Sequence, residues 1–573
     1  MLTFYQKEIF YKLLFSIVLI LLPIAYNENL FLYKFNDIKF FLYDFFVIFL
    51  IPYYLKYKNT YNLSILFFSI IIFILLMLLS LYQSVNLGSS VIYILRFVNT
   101  ILFINLLYDL FKSKKITLKY IGNLFLITFF IFSIFFIYGT FYSNFFHMPS
   151  AFSSIGHFNY TGHILNIAIP FLILNFYIQK NKTIKLLSIF TALLLVNILI
   201  LSSSRGSIFG LISSEFVIII YLFIKNKKII YYPIITFLLV LSFLIYQSLA
   251  PNMIVNLTSK LETFKNLNDI KISHTNKIQN LKVVNNTSSN RFNMYLNTID
   301  MIIDNPYGIG IDNFEYIHPK YAKVGTSSAS PLLSINKILT HPHNIILKYI
   351  SEIGIIGGII FIVILLIIMK KVLSNIIYNK NDIVDITIAI AFGTTLFHSM
   401  VSAVFLVPVS IFYTAILISI ILYRNYNQNN NKQSFKINKY FSILIYGYFF
   451  INLLIFSLFY LSKYYSNQFT VQKNYNYLPK SILYNPYNEN AILKMARYQI
   501  YINKNNILGL YYINRYLSIY PYSMIGLIEK AKIEFKLKQC DNLKFTVKKY
   551  SLIDHSNRAF NINLLIDRCN NFH

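Results

Sequence analysis

The 573-residue chain has no tryptophan, two cysteines and only 13% charged residues. Each shortage excludes something. A soluble globular protein carries nearer a quarter charged residues, so a chain this poor in charge and 56% hydrophobic is not an ordinary water-soluble domain. Cys540 and Cys569 both lie near the C-terminus, and too few Cys and His cluster to suggest a structural zinc site. Acidic residues are scarce as well: 21 Asp and Glu stand against 51 Lys and Arg, a net charge of +30. In a soluble protein that excess would point to nucleic acid. Here the lysines fall between apolar runs, where basic cytoplasmic loops account for them, so no nucleic-acid partner is implied. Without Trp, the 48 Tyr must supply the interfacial aromatic belt. The first apolar run, 9–25, ends without a small-residue cleavage pattern and reads as a retained helix.

What the chain does have is apolar length. Runs long enough to span a membrane fall near 9–26, 39–56, 62–82, 90–110, 119–141, 161–179, 185–202, 207–225, 230–249, 345–370, 383–402, 404–423 and 440–461. The expected fold is an all-α polytopic membrane protein with about 12–13 transmembrane helices. Lysines set its direction. With Lys7 and Lys12 in the cytoplasm, alternate connections hold Lys56 and Lys58, then Lys112, Lys114 and Lys115, then Lys180 and Lys182, then Lys225, Lys227 and Lys228, then Lys370 and Lys371, then Arg424 and Lys432. The opposite connections hold little beyond Lys34, Lys39 and Arg205. This bias places 250–344 and the tail outside the cytoplasm. Four regions follow: N-terminal helices over 1–249, a large extracytoplasmic loop over 250–344, C-terminal helices over 345–461 and a helical tail over 462–573.

Residues 260–290 are polar and low in complexity and read as an insertion. Order resumes at Ser288-Ser289-Asn290, a helix cap, after which Phe292, Leu296, Ile299 and Ile303 recur at helical spacing. Pro306, Gly308 and Gly310 end that helix. In the tail, Pro486 and Pro521 stand 35 residues apart, a spacing that fits a helix-turn-helix repeat of the tetratricopeptide kind or a plain helical cap. Outside the cytoplasm, Cys540 and Cys569 can form a disulfide.

Charge at membrane depth is costly, so each charged or polar residue there needs a reason. Arg205 lies in Ser202-Ser203-Ser204-Arg205-Gly206, between two apolar helices. Its guanidinium and the turn amides suit an anion, and an interfacial arginine reaching for water is the alternative. Arg291 begins the amphipathic helix, a second phosphate site or a solvated loop arginine. His343, in Thr340-His341-Pro342-His343-Asn344, can take a proton from a hydroxyl near neutral pH. His341 supports it, and Asn344 fixes a tautomer or caps the next helix. A metal reading of the histidine pair lacks a third ligand nearby, so no metal and no cofactor are expected. Arg96 either lines a cavity or pairs with Asp44 or Glu215. His157, Asn159 and Tyr160 mark another outward helix start and a cavity lining. His398 reads as a bonded residue of the bundle.

The ordered set of segments resembles the O-antigen ligase and polymerase superfamily of bacterial membrane glycosyltransferases. The set is GHFNYTGHILNIAIPF, the SSSRG turn, the Arg291 helix, NPYGIGIDNFEY, HPHN and SEIGIIGGIIF, covering roughly 150–423. The resemblance implies a GT-C-type architecture in the bacterial inner membrane and an undecaprenyl-diphosphate-linked glycan donor on its outer face. It implies inversion at the anomeric carbon without metal or nucleotide. Arg205 and Arg291 would hold the diphosphate and His343 would activate the acceptor hydroxyl, with His341, Asn344, Arg96 and Asn159 around the substrate. Lipopolysaccharide ligases of the superfamily lack a tail like this one, whereas its protein O-oligosaccharyltransferases carry one. The acceptor is therefore lipid A core, another glycan (a polymerase) or a protein Ser/Thr. A transporter of lipid-linked sugars is the non-enzymatic alternative. It would bring internal repeats of helix hairpins, which the sequence does not show.

Overall fold

The computed structural model describes residues 4–24, 37–57, 60–62, 64–146, 158–202, 204–225, 234, 287–322, 339–378, 382–402, 404–425, 434–436, 439–553 and 565–569. The span expected at 230–249, His157, Ser203 and nearly all of the 260–290 insertion lie outside the described residues.

The described residues are all-α apart from one short ribbon. The first half runs α1 (Phe4–Ile24), α2 (Asp37–Tyr57), β1 (Thr60–Asn62), α3 (Ile65–Leu79), α4 (Leu87–Lys112), α5 (Leu118–Phe146), α6 (Phe158–Ile178), α7 (Lys182–Leu201) and α8 (Arg205–Ile224). The loop region contributes α9 (Thr287–Asp304) and the single turn α10 (Phe314–Ile317). Then come α11 (Ile345–Ile353), α12 (Ile355–Tyr378), α13 (Ile383–Ser399), α14 (Pro408–Arg424), β2 (Ser434–Lys436) and α15 (Lys439–Gln472). The tail adds α16 (Tyr477–Tyr484), α17 (Glu489–Tyr501), α18 (Asn506–Ile519), α19 (Met524–Lys536) and α20 (Cys540–Ser551).

Among the described residues, 8 helices are long and apolar enough to cross a membrane. Several turn large apolar side chains outward, as Ile65, Phe68, Leu75 and Leu79 do on α3, which suits contact with lipid rather than water. The centre is built around α13, which packs on α6 and α8. Ser214 Oγ on α8 donates to the Ile390 carbonyl at 3.0 Å, a small polar contact of the kind that lets membrane helices approach closely.

The two ends of the bundle differ. At one end β1 and β2 pair antiparallel, Tyr61 opposite Phe435, and tie the α2–α3 connection to the α14–α15 connection. The lysine bias assigns both connections to the same side. At the other end lie the α3–α4 connection, residues 305–321 and the start of the tail. There Tyr316 packs edge-on against Tyr520 with ring centroids 5.1 Å apart.

Two expected boundaries need correction. The single span expected over 345–370 is broken in two at Gly354, whose φ of +90° ends α11. The break puts a short helix beside the loop and starts the membrane helix only at Ile355. The helix expected over 440–461 runs on to Gln472 without interruption, so 462 is not a break in the chain. In the tail, α17 packs on α18 and α19 on α20 as two hairpins. A disulfide joins Cys540 to Cys569.

Candidate active site

The site begins with a backbone clasp. Asn305-Pro306-Tyr307-Gly308-Ile309-Gly310 lies along the end of α11. Ile309 N–H donates to the Ser351 carbonyl, Gly310 N–H to the Glu352 carbonyl and Ile355 N–H to the Pro306 carbonyl, each at 3.0 Å. Gly308 has φ +90°, and a Cβ there would stand 2.5 Å from the Glu352 carbonyl oxygen, so only glycine lets the strands of the clasp meet. Beneath it Lys348 Nζ donates to both Glu352 carboxylate oxygens at 2.7 and 2.8 Å and lies 3.6 Å from Asp312. Asp312 also accepts from Ser89 Oγ at 2.5 Å, and its own N–H donates to Glu352 at 2.9 Å. The α3–α4 connection completes the grip: Asn86 N–H donates to Asn313 Oδ1 at 2.7 Å and its side chain to the Tyr316 hydroxyl at 2.8 Å. Nearby His318 is buried and stacks on Phe314 with centroids 4.7 Å apart. Burial lowers its pKa from the ordinary 6.5 to about 4.

The clasp fixes α11, and α11 carries the histidine turn at its start. Asn344 is its N-cap: the side-chain oxygen accepts from Ile346 and Leu347 N–H at 2.9 and 3.0 Å. The Asn344 amide donates to the Met400 carbonyl at 3.1 Å, so this side chain is spent on capping and bridging. His343 sits at φ +52°, a left-handed backbone that few non-glycine residues adopt. His341 is buried at 7% exposure, its Nδ1 2.7 Å from Thr340 Oγ1. The two imidazoles lie 4.3 Å apart between centroids. Among the described residues no group of three or more His, Cys, Asp or Glu gathers to hold a metal.

The arginine turn lies between α7 and α8. Arg205 opens α8 and is exposed, and Arg291 near the start of α9 is half-buried. Burial, together with the nearby Arg205 charge, lowers the Arg291 pKa. No carboxylate among the described residues pairs with either arginine. The turn is tied down by hydroxyls: Ser204 Oγ donates to Asn159 Oδ1 at 3.1 Å and lies 2.6 Å from Ser207 Oγ. Asn159 is thus buried beneath the turn, supporting Arg205.

Arg96 stands apart. Its guanidinium binds Asp44 through Nε at 3.1 and 3.2 Å and Nη2 at 2.8 Å, and Tyr460 donates to the same carboxylate at 2.6 Å. The expected pairing with Asp44 is thus present, and it balances the Arg96 charge inside the bundle. Its face nonetheless borders a cavity of about 1420 Å³. That cavity runs down the bundle from Asp312, Glu315 and His341 at the loop end to Lys112 and Lys371 near the ribbon end. Tyr160 and Ser399, neighbours of Asn159 and His398, also line it, whereas Arg205, Arg291 and His343 do not.

The sequence alone does not mark the Lys348–Glu352 pair or the Met400 carbonyl, which has no side-chain signature. His398, expected as a bonded residue of the bundle, lies 3.2 Å from Ser207 Oγ. The i,i+4 spacing of Lys348 and Glu352 was the one available signal.

Residues 190–362 match the O-antigen ligase family. That segment contains Arg205, Arg291, His341, His343 and the clasp, and excludes Arg96, Asn159 and the tail. No curated protein matches the chain.

Proposed function

We propose that this chain, whose residues 190–362 match the O-antigen ligase family, moves a glycan from an undecaprenyl diphosphate carrier to an acceptor hydroxyl on the outer face of the bacterial inner membrane. The observation that carries this reading is the arginine pair. Arg291 feels the Arg205 charge, and no carboxylate among the described residues pairs with either, so the two guanidiniums together are complementary to a polyanion such as a diphosphate. In the step, His343 takes the proton of the acceptor hydroxyl and the oxygen attacks the anomeric carbon. The bond from that carbon to the diphosphate oxygen breaks, and its electrons leave with the diphosphate. Arg205 and Arg291 hold the charge that develops there. Attack opposite the leaving group inverts the anomeric centre. His341 keeps the His343 ring in place. The positive charge comes from side chains, so the reading includes neither metal nor nucleotide. The apolar cavity ending at His341 offers a path for the polyprenyl chain.

Lipid A core is the first acceptor to test. The tail favours a protein Ser/Thr acceptor as the second, because its helices pack directly on the loop that borders the site through Tyr316 and Tyr520. The test is transfer by purified protein in lipid nanodiscs with a lipid-diphosphate glycan and each acceptor. His343→Asn is the informative variant, since Asn tolerates the left-handed backbone that Ala does not. Its rate should fall by about 10²–10⁴. Transfer at the parental rate would sink the assignment of the base.

A further inference from the structure

We infer that the large cavity selects the lipid carrier by the length of its chain: it is a shaft through the whole membrane depth, sized for one long polyprenyl chain. This rests on the lipid-diphosphate reading above and adds which part of the carrier is read.

On α4 the lining residues Tyr93, Phe97, Ile101, Ile104, Tyr108 and Lys112 recur every three or four positions, which is one face of the helix. From Tyr93 to Lys112 that face rises about 28 Å, close to the roughly 30 Å of a bilayer's hydrocarbon core. α12 lines the shaft with a face ending at Lys371, and α14 with a face from Ile411 to Leu422. A phospholipid acyl chain covers one leaflet, about half that depth, so it fills only half the shaft. A chain twice as long fills it.

The volume agrees with the depth. At about 30 Å³ each, the share of one water, 1420 Å³ holds roughly 45–50 methylene-sized groups, against about 55 carbons in an undecaprenyl chain. The few carbons next to the diphosphate would lie outside, at the arginine turn. The outer end of the shaft borders that turn. Ser399 lines it, between His398, which lies 3.2 Å from Ser207 Oγ, and Met400, whose carbonyl accepts from Asn344. Two of the charges on the wall are balanced, Arg96 by Asp44 and Asp312 by Lys348. Lys112 and Lys371 stand at the inner end, which the lysine bias assigns to the cytoplasmic side.

Bilayer lipid is as apolar as the wall, so burial from water does not drive the chain in. Selection comes from filling. Each stretch of wall that the chain fails to reach loses its dispersion contacts or is left to another lipid.

The test uses the full chain in phospholipid nanodiscs. The probes are polyprenyl diphosphates of full undecaprenyl length and of half that length, each with a photoreactive group at the far end of the chain. The full-length probe should label the inner end of the shaft, around Tyr108 and Leu422. The half-length probe should label mid-depth, around Ile101 and Ala415. Label spread instead over the outward side chains of α3, such as Phe68 and Leu75, would overturn the proposal. So would a phospholipid with a photoreactive acyl chain that labels Tyr108 while the full-length carrier is present. With the glycan attached, the half-length donor should transfer about tenfold less efficiently at equal membrane concentration, and equal efficiency would overturn the proposal. Ile418→Phe narrows the inner half, at the level where Ser419 Oγ meets the Ile104 carbonyl. It should cost about tenfold with the full-length donor and less than about twofold with the half-length one, whereas equal losses would overturn the proposal. Labelling of the parent protein decides the matter even if that variant does not fold. Transfer without label in the shaft removes this proposal and leaves the diphosphate reading standing. Label in the shaft without transfer to any acceptor does the reverse.

Discussion

Two clusters of charge sit at the same end of the bundle and are built in opposite ways. Around Lys348 every charge has a partner: Glu352 and Asp312 surround the ammonium, and Ser89 and a backbone N–H supply the remaining bonds. Around Arg205 and Arg291 positive charge stands beside positive charge. The first arrangement balances desolvation with attraction and yields architecture. The second leaves a field that is favourable only when an anion arrives, which is what a binding site requires. Electrostatic completeness thus separates the part that holds the loop from the part proposed to meet substrate.

The contrast can be broken by substitutions that should act on stability in one cluster and on activity in the other. The largest effect is expected for Lys348→Met, which strands the buried Glu352 carboxylate beside the half-buried Asp312 and should cost about 3–5 kcal/mol of stability by denaturant titration in detergent. A loss below 1 kcal/mol would show that the buried pair is not what holds the clasp. Arg291→Gln should lower transfer by about 10²–10³ with little change in thermal midpoint; a large drop in midpoint would move this arginine into the architectural group. The third effect depends on pH. His318 is held neutral by burial, with a folded pKa of about 4 against an ordinary 6.5. Its contribution is complete above pH 6.5 and is lost as the pH falls toward 4. About 2 kcal/mol should be missing at pH 5, and His318→Phe, keeping the stack on Phe314, should remove that acid sensitivity. The smallest effect is expected for Ser89→Ala, which removes one hydroxyl from Asp312 at about 1.5 kcal/mol. A double cycle with Lys348→Met should show coupling if the cluster acts as a unit.

Much of the helical frame was legible because apolar length is a one-dimensional signal. The break at Gly354 was not, because Ile353 and Ile355 are equally apolar and the cause lies in a loop about 45 residues earlier. The end of α15 was missed for the opposite reason: the apolar run stops while the helix continues on tail contacts. Arg205, Arg291 and His343 stood out as costly residues in an apolar chain. Their supports did not. His398 looks ordinary because its neighbour Ser207 is 191 residues away, and Met400 acts through a carbonyl that any residue would supply. Arg96 was legible as a charge needing a partner, and only three dimensions chose Asp44 over Glu215.

One consequence follows from the unbroken length of α15. Its 34 residues measure about 50 Å, and roughly 20 of them suffice to cross a bilayer. The remaining turns form a stiff axle between membrane and tail. Rotation about such an axle is quantised by the helix itself: one inserted residue turns everything beyond it by about 100° and lifts it by about 1.5 Å. The Tyr316–Tyr520 contact fixes which of those settings the native chain occupies. The tail is therefore indexed to the bundle, and its angular setting is written in the residue count of a single helix.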